Sequence, residues 1–166
     1  MKTMSVQTLM SRPVAADRPQ FTDMWFEDEN GQRKENLVTS QRTILCLSWN
    51  NPRYQRGLRV GFGINDRFGD RIFGGVPEDA GYITPADSGV VVARVIIPAN
   101  FLLPKTYTVD LCLWCPNVET YDFLQPARIF TIESGVSPVL AIDPDRAGQI
   151  QFHSSWNIEH VKIETQ

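Results

Sequence analysis

The chain has 166 residues, 42% of them apolar, and a formal net charge of −3 with the signs interspersed. That length carries one domain with a proper core. No basic stripe marks a nucleic-acid surface, no acidic block marks a disordered tail, and no apolar run approaches a bilayer span.

Residues 1–20 read as a polar leader containing Pro13 and Pro19, without the apolar centre and cleavage site of a signal peptide. Beyond it, almost every periodic segment has period two, and turn residues recur at short intervals. This is the pattern of an all-β domain. Met24 and Phe26 point one way along the first strand, which ends at the turn Asp28-Glu29-Asn30-Gly31. Residues 43–49 form the second, with Leu45, Leu47 and Trp49 on one face. Residues 58–64 form the third, with Val60, Phe62 and Ile64 on one face and only Gly61, Gly63 and Asn65 on the other. Residues 71–73 are a short neighbour. Residues 90–97 are nearly all apolar, with Val91, Ala93, Val95 and Ile97 inward, and Pro98 stops them. A single turn fits residues 98–103. Residues 107–114 place Tyr107, Val109, Leu111 and Leu113 inward, and residues 128–133 place Phe130 and Ile132 inward.

No helix of normal length is expected. Seven or so short strands predict an immunoglobulin-like antiparallel β-sandwich over residues 21–133. Tyr107 follows Leu103-Pro104-Lys105-Thr106, where such a fold places a tyrosine corner. Residues 134–166 read as a proline-containing linker and an extra C-terminal strand. The alternating segments 149–152 and 158–163 flank Trp156, which is expected to anchor that strand. A complete sandwich does not need a spare apolar strand; it caps an edge of its own domain or adds to a neighbour's.

Three cysteines without framework spacing favour a reducing compartment. Cys112 and Cys115 form a C-x-x-C, but alternation along a strand sends them to opposite faces, so neither a redox pair nor a zinc pair is expected. The phasing also points Cys46 and Cys112 away from the core, which argues against a disulfide between the sheets. His153 and His160 have no acidic or metal-ligand companions, and no G-x-S-x-G elbow occurs. No catalytic residue, metal site or cofactor is expected.

Two glycines on the outward face of a sandwich strand leave a trough in which an extended ligand can lie. The same glycines can instead relieve a bend in the strand. The surrounding residues carry a family resemblance. The markers are Phe26-Glu27-Asp28-Glu29-Asn30-Gly31 and Phe62-Gly63-Ile64-Asn65-Asp66-Arg67-Phe68-Gly69-Asp70-Arg71-Ile72-Phe73-Gly74. Then come Ile97-Pro98 with Leu102-Leu103-Pro104-Lys105-Thr106-Tyr107, Tyr121-Asp122-Phe123 with Ala127-Arg128-Ile129-Phe130-Thr131-Ile132, and finally Gly148 and Trp156. With these the chain resembles the C-terminal carbohydrate-binding domain of Wzt, the ATPase subunit of ABC transporters that export O-antigen polysaccharide. Lys105 and the pair Gly75-Val76 depart from the family pattern, and neither is expected to touch the ligand face.

The resemblance implies a non-catalytic β-sandwich that binds O-antigen polysaccharide and selects the finished chain for export. It implies lipid-linked polysaccharide, the ATPase and the membrane subunits of the exporter as partners, and a homodimer that exchanges a C-terminal strand. The setting it implies is cytoplasmic, at the inner face of the inner membrane of a Gram-negative bacterium. No G-x-x-x-x-G-K-[ST] occurs, so the ATPase half is expected to be absent.

Sugars are held by an aromatic ring against the C–H face and by planar polar side chains on the hydroxyls. The phasing turns Trp114 outward, with Asp110, Thr108 and Cys112 on its side of the strand. In an immunoglobulin-like topology this strand pairs with 58–64, whose outward residues are Arg59, Gly61, Gly63 and Asn65. Thr131 and Glu133 flank it on the next strand. Trp114, Asp110, Arg59, Asn65, Gly61, Gly63 and Thr131 are therefore the expected ligand-binding residues. Plainer roles stand beside these. Trp114 can be covered by a loop or a partner, Arg59 and Asp110 can form a surface ion pair, and Asn65 and Asp66 can be turn formers. Two rivals to the binding reading remain. One is an adaptor sandwich contacting only proteins, and the other a glycoside-active enzyme using a pair such as Asp110 with Glu133. Trp25 is expected outward on the other sheet, and Tyr54, Tyr82 and Tyr121 are expected to anchor loops.

Overall fold

The computed structural model describes residues 9, 11–135, 148, 150 and 156. Eight strands run in the order β1 (Gln20–Glu27), β2 (Leu37–Val38), β3 (Thr43–Asn51), β4 (Arg59–Asn65), β5 (Arg71–Gly75), β6 (Gly89–Ile97), β7 (Thr106–Cys115) and β8 (Glu119–Glu133). A 3-10 turn, Pro77–Ala80, is the helical element between β5 and β6. The strands form a three-stranded sheet β1-β3-β6 and a five-stranded sheet β2-β8-β7-β4-β5. All pairings are antiparallel except that of the two-residue β2 with β8. The all-β sandwich expected from the sequence is the fold observed.

Alternation decides which side chains meet between the sheets. Met24, Phe26, Leu45, Leu47 and Trp49 from one sheet close against Val60, Ile64, Val109, Leu111 and Leu113 from the other. Burying each such side chain contributes about 1.5–3 kcal/mol. Tyr107 is fully buried at the start of β7, and its hydroxyl donates to the Leu103 carbonyl at 2.7 Å. The tyrosine corner lies where the sequence places it. Burial pushes the Tyr107 phenol up to about 12.

Three elements differ from the sequence reading. β8 runs from Glu119, well before residue 128, because β7 and β8 form a hairpin through Pro116–Val118, with Val118 N–H bonded to Cys115 C=O at 3.1 Å. β8 pairs with β7 on both sides of an irregular stretch that contains the cis Gln125–Pro126 bond. β2 is too short to leave a periodic signal. Finally, the segment ahead of β1 packs on the sandwich. Leu9 is buried in the core, and both carboxylate oxygens of Asp122 in β8 accept from Arg12 Nη2, at 2.9 and 3.0 Å. Asp122 also accepts from the Phe21 amide at 2.9 Å, so β1 and the segment before it share one anchor.

The alternating segments 149–152 and 158–163, and both histidines, lie outside the described residues apart from Ile150. Ile150 bridges Leu102, the Gly148 carbonyl accepts from Lys105 Nζ at 2.8 Å, and Trp156 is 81% exposed.

Candidate functional site

The site is built on the outer face of the five-stranded sheet, where β7 lies between β4 and β8. The β4–β7 register sets Arg59 opposite Trp114, Gly61 opposite Cys112, Gly63 opposite Asp110 and Asn65 opposite Thr108. Directly opposed residues share a face, so these eight positions line one surface. This is the surface the alternation of the two strands predicts.

The two glycines make room for neighbouring side chains. A Cβ on Gly61 would stand 3.1 Å from the benzo edge of the Trp114 indole. A Cβ on Gly63 would overlap the Arg71 guanidinium. The space that the sequence reading gives to a ligand trough or to relief of a bend is taken by these two side chains, a third role. Gly74 of β5, opposite Gly63, extends the bare strip.

Arg71 is the residue that sequence reasoning missed. Its Nε donates to Asn65 Oδ1 at 2.6 Å and its Nη2 to Asp110 Oδ2 at 2.9 Å. Asn65 Nδ2 donates to the same Asp110 oxygen at 2.9 Å and to Thr108 Oγ1 at 3.2 Å. Asp110 and Asn65 are thereby buried on an outward face, 3% and 4% exposed, under the half-exposed Arg71 side chain. The second carboxylate oxygen, Asp110 Oδ1, is buried and makes no hydrogen bond. A buried acceptor left in this state costs about 1–3 kcal/mol.

The alternative role offered for Arg59 and Asp110, a surface ion pair with each other, is not what the structure shows, because Asp110 pairs with Arg71. Arg59 lies at the Trp114 end of β4, with Nη1 3.6 Å from Glu78 Oε1 and donating to the Leu58 carbonyl at 3.1 Å. The loop after Asn65 closes through Asp66 N–H to Asp70 C=O, which sets Arg71 opposite Asn65 and hence on the same face. Asp66 itself is a turn former, its Oδ1 accepting from the amides of Phe68 and Asp70 at 2.8 and 3.0 Å.

An open cavity of about 380 Å³ lies along the strip, lined among others by Gly61, Gly63, Arg71, Asp79, Asp110 and Trp114. Cys112 and Phe123 of β8 also line it, and so do Gly75 and Val76, which corrects the expectation that this pair lies away from the ligand face. Thr131 shares the face but not the cavity. It stands opposite Thr106, hydroxyl to hydroxyl at 3.0 Å, roughly 13 Å along the strands from Asp110. Glu133 is farther still, roughly 20 Å from Asp110 at 3.3 Å per residue. That separation is too large for the carboxylate pair of a glycosidase, whose members stand about 5–10 Å apart. Tyr54, Tyr82 and Tyr121 are absent from the lining, and Tyr121 accepts from Gln55 Nε2 at 2.6 Å.

The outer face of the three-stranded sheet carries a different cluster. Trp25 faces outward there as expected, its Nε1 donating to Glu27 Oε1 at 2.8 Å and its ring under Arg33 at 4.4 Å. Glu27 also pairs with Arg94 of β6 at 3.0 Å. The hydrogen bonds from Arg94 and then Trp25 hold its carboxyl at about 2. Cys46, opposite both Trp25 and Arg94, is fully buried beneath them and outside the core cluster. All three cysteines are free. Among the described residues no three His, Cys, Asp or Glu side chains are grouped to hold a metal ion, and no helix is long and apolar enough to cross a membrane.

The fold has counterparts among solved structures. A crystal structure of the C-terminal domain of Wzt matches 94% of this chain and 100% of its own length, with a TM-score of 0.64 at 15% identity. Two crystal structures of Parabacteroides merdae beta-glucuronidase match 69% of this chain over 13% and 14% of their own, with TM-scores of 0.42 at 18% and 17% identity. That likeness is too distant to bear on function. Among curated proteins none matches. The family model of the Wzt C-terminal domain matches residues 17–142, which contain all eight strands, and the chain belongs to that family.

Proposed function

We propose that this chain is a non-catalytic carbohydrate-binding domain that holds O-antigen polysaccharide and selects the finished chain for export by an ABC transporter. Its family is linked to O-antigen ABC transporters. The observation that carries the reading is the Trp114 indole set over Gly61 beside the Arg71–Asn65–Asp110 network, in an open cavity on a rigid sheet. An aromatic ring and adjacent planar donors are what a sugar needs for its C–H face and its hydroxyls. Each contact exchanges water hydrogen bonds for protein ones at small net gain, so binding per site is weak.

In this reading the partners are lipid-linked polysaccharide and the ATPase and membrane subunits of the exporter, at the cytoplasmic face of the inner membrane. A homodimer that exchanges the C-terminal strand completes it. Support for the exchange comes from β6, which ends its sheet, carries one charged residue in nine, and exposes Val90, Val92 and Ile96. A dimer offers two sites to one polymer and raises avidity. Deletion of residues 148–166 is expected to give a monomer or an unstable protein, and a stable intact dimer would sink the exchange.

The direct test is a titration with the O-polysaccharide of the source organism, comparing wild type with Trp114→Ala by calorimetry. Wild type is expected to bind, and the folded variant to lose at least about tenfold in affinity, or 1.4 kcal/mol. The exposed apolar edge of β6 also favours the adaptor reading, in which the sandwich contacts only proteins. Absence of binding at millimolar repeat-unit concentration would select that reading.

A further inference from the structure

We propose that the groove reads two successive neutral sugar rings, one over Trp114 and the next over Arg71. The proposal rests on the carbohydrate-binding reading above and adds ligand length, ligand charge and a second specificity residue. Gly61 and Gly63 are alternate residues of one strand, so their Cα atoms stand about 6–7 Å apart on the same face. Each carries a planar group in the space its missing side chain leaves, the indole at Gly61 and the guanidinium at Gly63. The two planar groups therefore stand in succession along β4, and both line the cavity together with Gly74.

Arg71 is preorganised for this role. Its Nε and Nη2 are fixed by Asn65 and Asp110, which leaves Nη1 to donate to an incoming hydroxyl. A held donor loses little entropy on binding, unlike a free arginine. Beneath it, Asp110 is only 3% exposed and holds the fork in place. Charge sets the class of ligand. The positive charge of Arg71 is already matched by Asp110, and Asp79 adds a negative charge to the wall. A uronate or phosphate would meet a site without net positive charge, whereas a neutral hydroxylated ring meets both donors and acceptors.

The experiment uses the whole chain and fragments of one, two and three rings prepared from the O-polysaccharide of the source organism. Dissociation constants are measured by NMR titration, following the Trp114 Nε1–H and Arg71 Nε–H resonances. The expected results are a gain of about tenfold or more from one ring to two, little further gain at three, and shifts of both resonances with the two-ring fragment. Raising salt from about 50 mM to about 500 mM should leave the affinity within about threefold. Arg71→Lys keeps the charge beside Asp110 but loses the planar fork. Gly63→Ala keeps Arg71 but evicts it from the floor. Both variants should bring two-ring affinity to within about threefold of one-ring affinity.

Equal affinity for one and two rings would overturn the proposal. So would wild-type two-ring binding in Arg71→Lys, or a tenfold loss with salt. Failure of the underlying reading has its own signature, in which no fragment binds wild type, or Trp114→Ala binds as wild type does. The proposal then falls with it.

Discussion

The Arg71 guanidinium occupies the position that a side chain on Gly63 would fill, six residues after Asn65 and directly across the hairpin from it. Gly63 and Gly74 oppose each other on this hairpin, yet they answer differently to the same substitution. A methyl group on Gly63 meets the far end of a flexible side chain, which can swing away. A methyl group on Gly74 would stand 2.5 Å from the Phe62 carbonyl oxygen, which is backbone in a central strand and cannot. Gly74→Ala is therefore expected to destabilise the fold by about 1–3 kcal/mol. Gly63→Ala should keep most of the stability, and urea denaturation of the two variants side by side measures the difference.

Tyr107 offers a second stability test. Tyr107→Phe removes only the hydroxyl that satisfies the Leu103 carbonyl, inside a fully buried corner. The expected loss is about 1–2 kcal/mol. For a domain of this size that lowers Tm by about 2–8 °C. Binding in the proposed groove, on the opposite face of β7, should not change, and thermal melting beside a ligand titration checks both halves.

Acid should protonate Glu27 only after most of the surface carboxylates. Its carboxyl sits at about 2 in the folded protein, chiefly through the hydrogen bond from Arg94, against an ordinary 4.5. A carboxyl depressed by folding stabilises fully above its unfolded value. That contribution is lost as pH falls from about 4.5 toward 2. Glu27→Gln is expected to flatten the fall of stability over this window while lowering stability at neutral pH. Denaturation midpoints at several pH values decide it, and parallel curves for the two proteins would refute it.

Thiol chemistry should separate the cysteines. Burial, and then the Glu27 charge, pushes the Cys46 thiol up to about 12, and no part of it is exposed. Cys112 and Cys115 are half-buried, and burial raises the Cys112 thiol as well. Under iodoacetamide at pH 8, Cys46 should stay unmodified until the protein unfolds, with Cys115 the first to react. Mass spectrometry of partly labelled protein gives the order, and early labelling at Cys46 would contradict it.

Much of this architecture is legible in alternation alone. The faces of β4 and β7 follow from parity, which is why Trp114, Asp110, Gly61 and Gly63 come together as the sequence implies. Tyr107 is legible because a buried hydroxyl must find an acceptor nearby. Parity does not say how far along a strand two residues lie, so Thr131 shares the face without reaching the cavity. It also fails across irregularities. A shift in register between Ile64 and Asn65 sets Arg71 opposite Asn65, from where it reaches Asp110. The early start of β8 was hidden by Pro126, which ordinarily argues against a central strand, and here sits where the pairing with β7 is interrupted.

β6 closes its sheet with Gly89-Val90-Val91-Val92-Ala93-Arg94-Val95-Ile96-Ile97, nine residues whose amides and carbonyls along the outer edge follow a nearly uncharged, β-branched sequence. Such an edge templates the addition of any strand that reaches it, the protein's own or a foreign one. Colloidal behaviour is then governed by one strand rather than by the stability of the core. A lysine placed at Val92 is then expected to reduce self-association at this edge without raising the melting temperature.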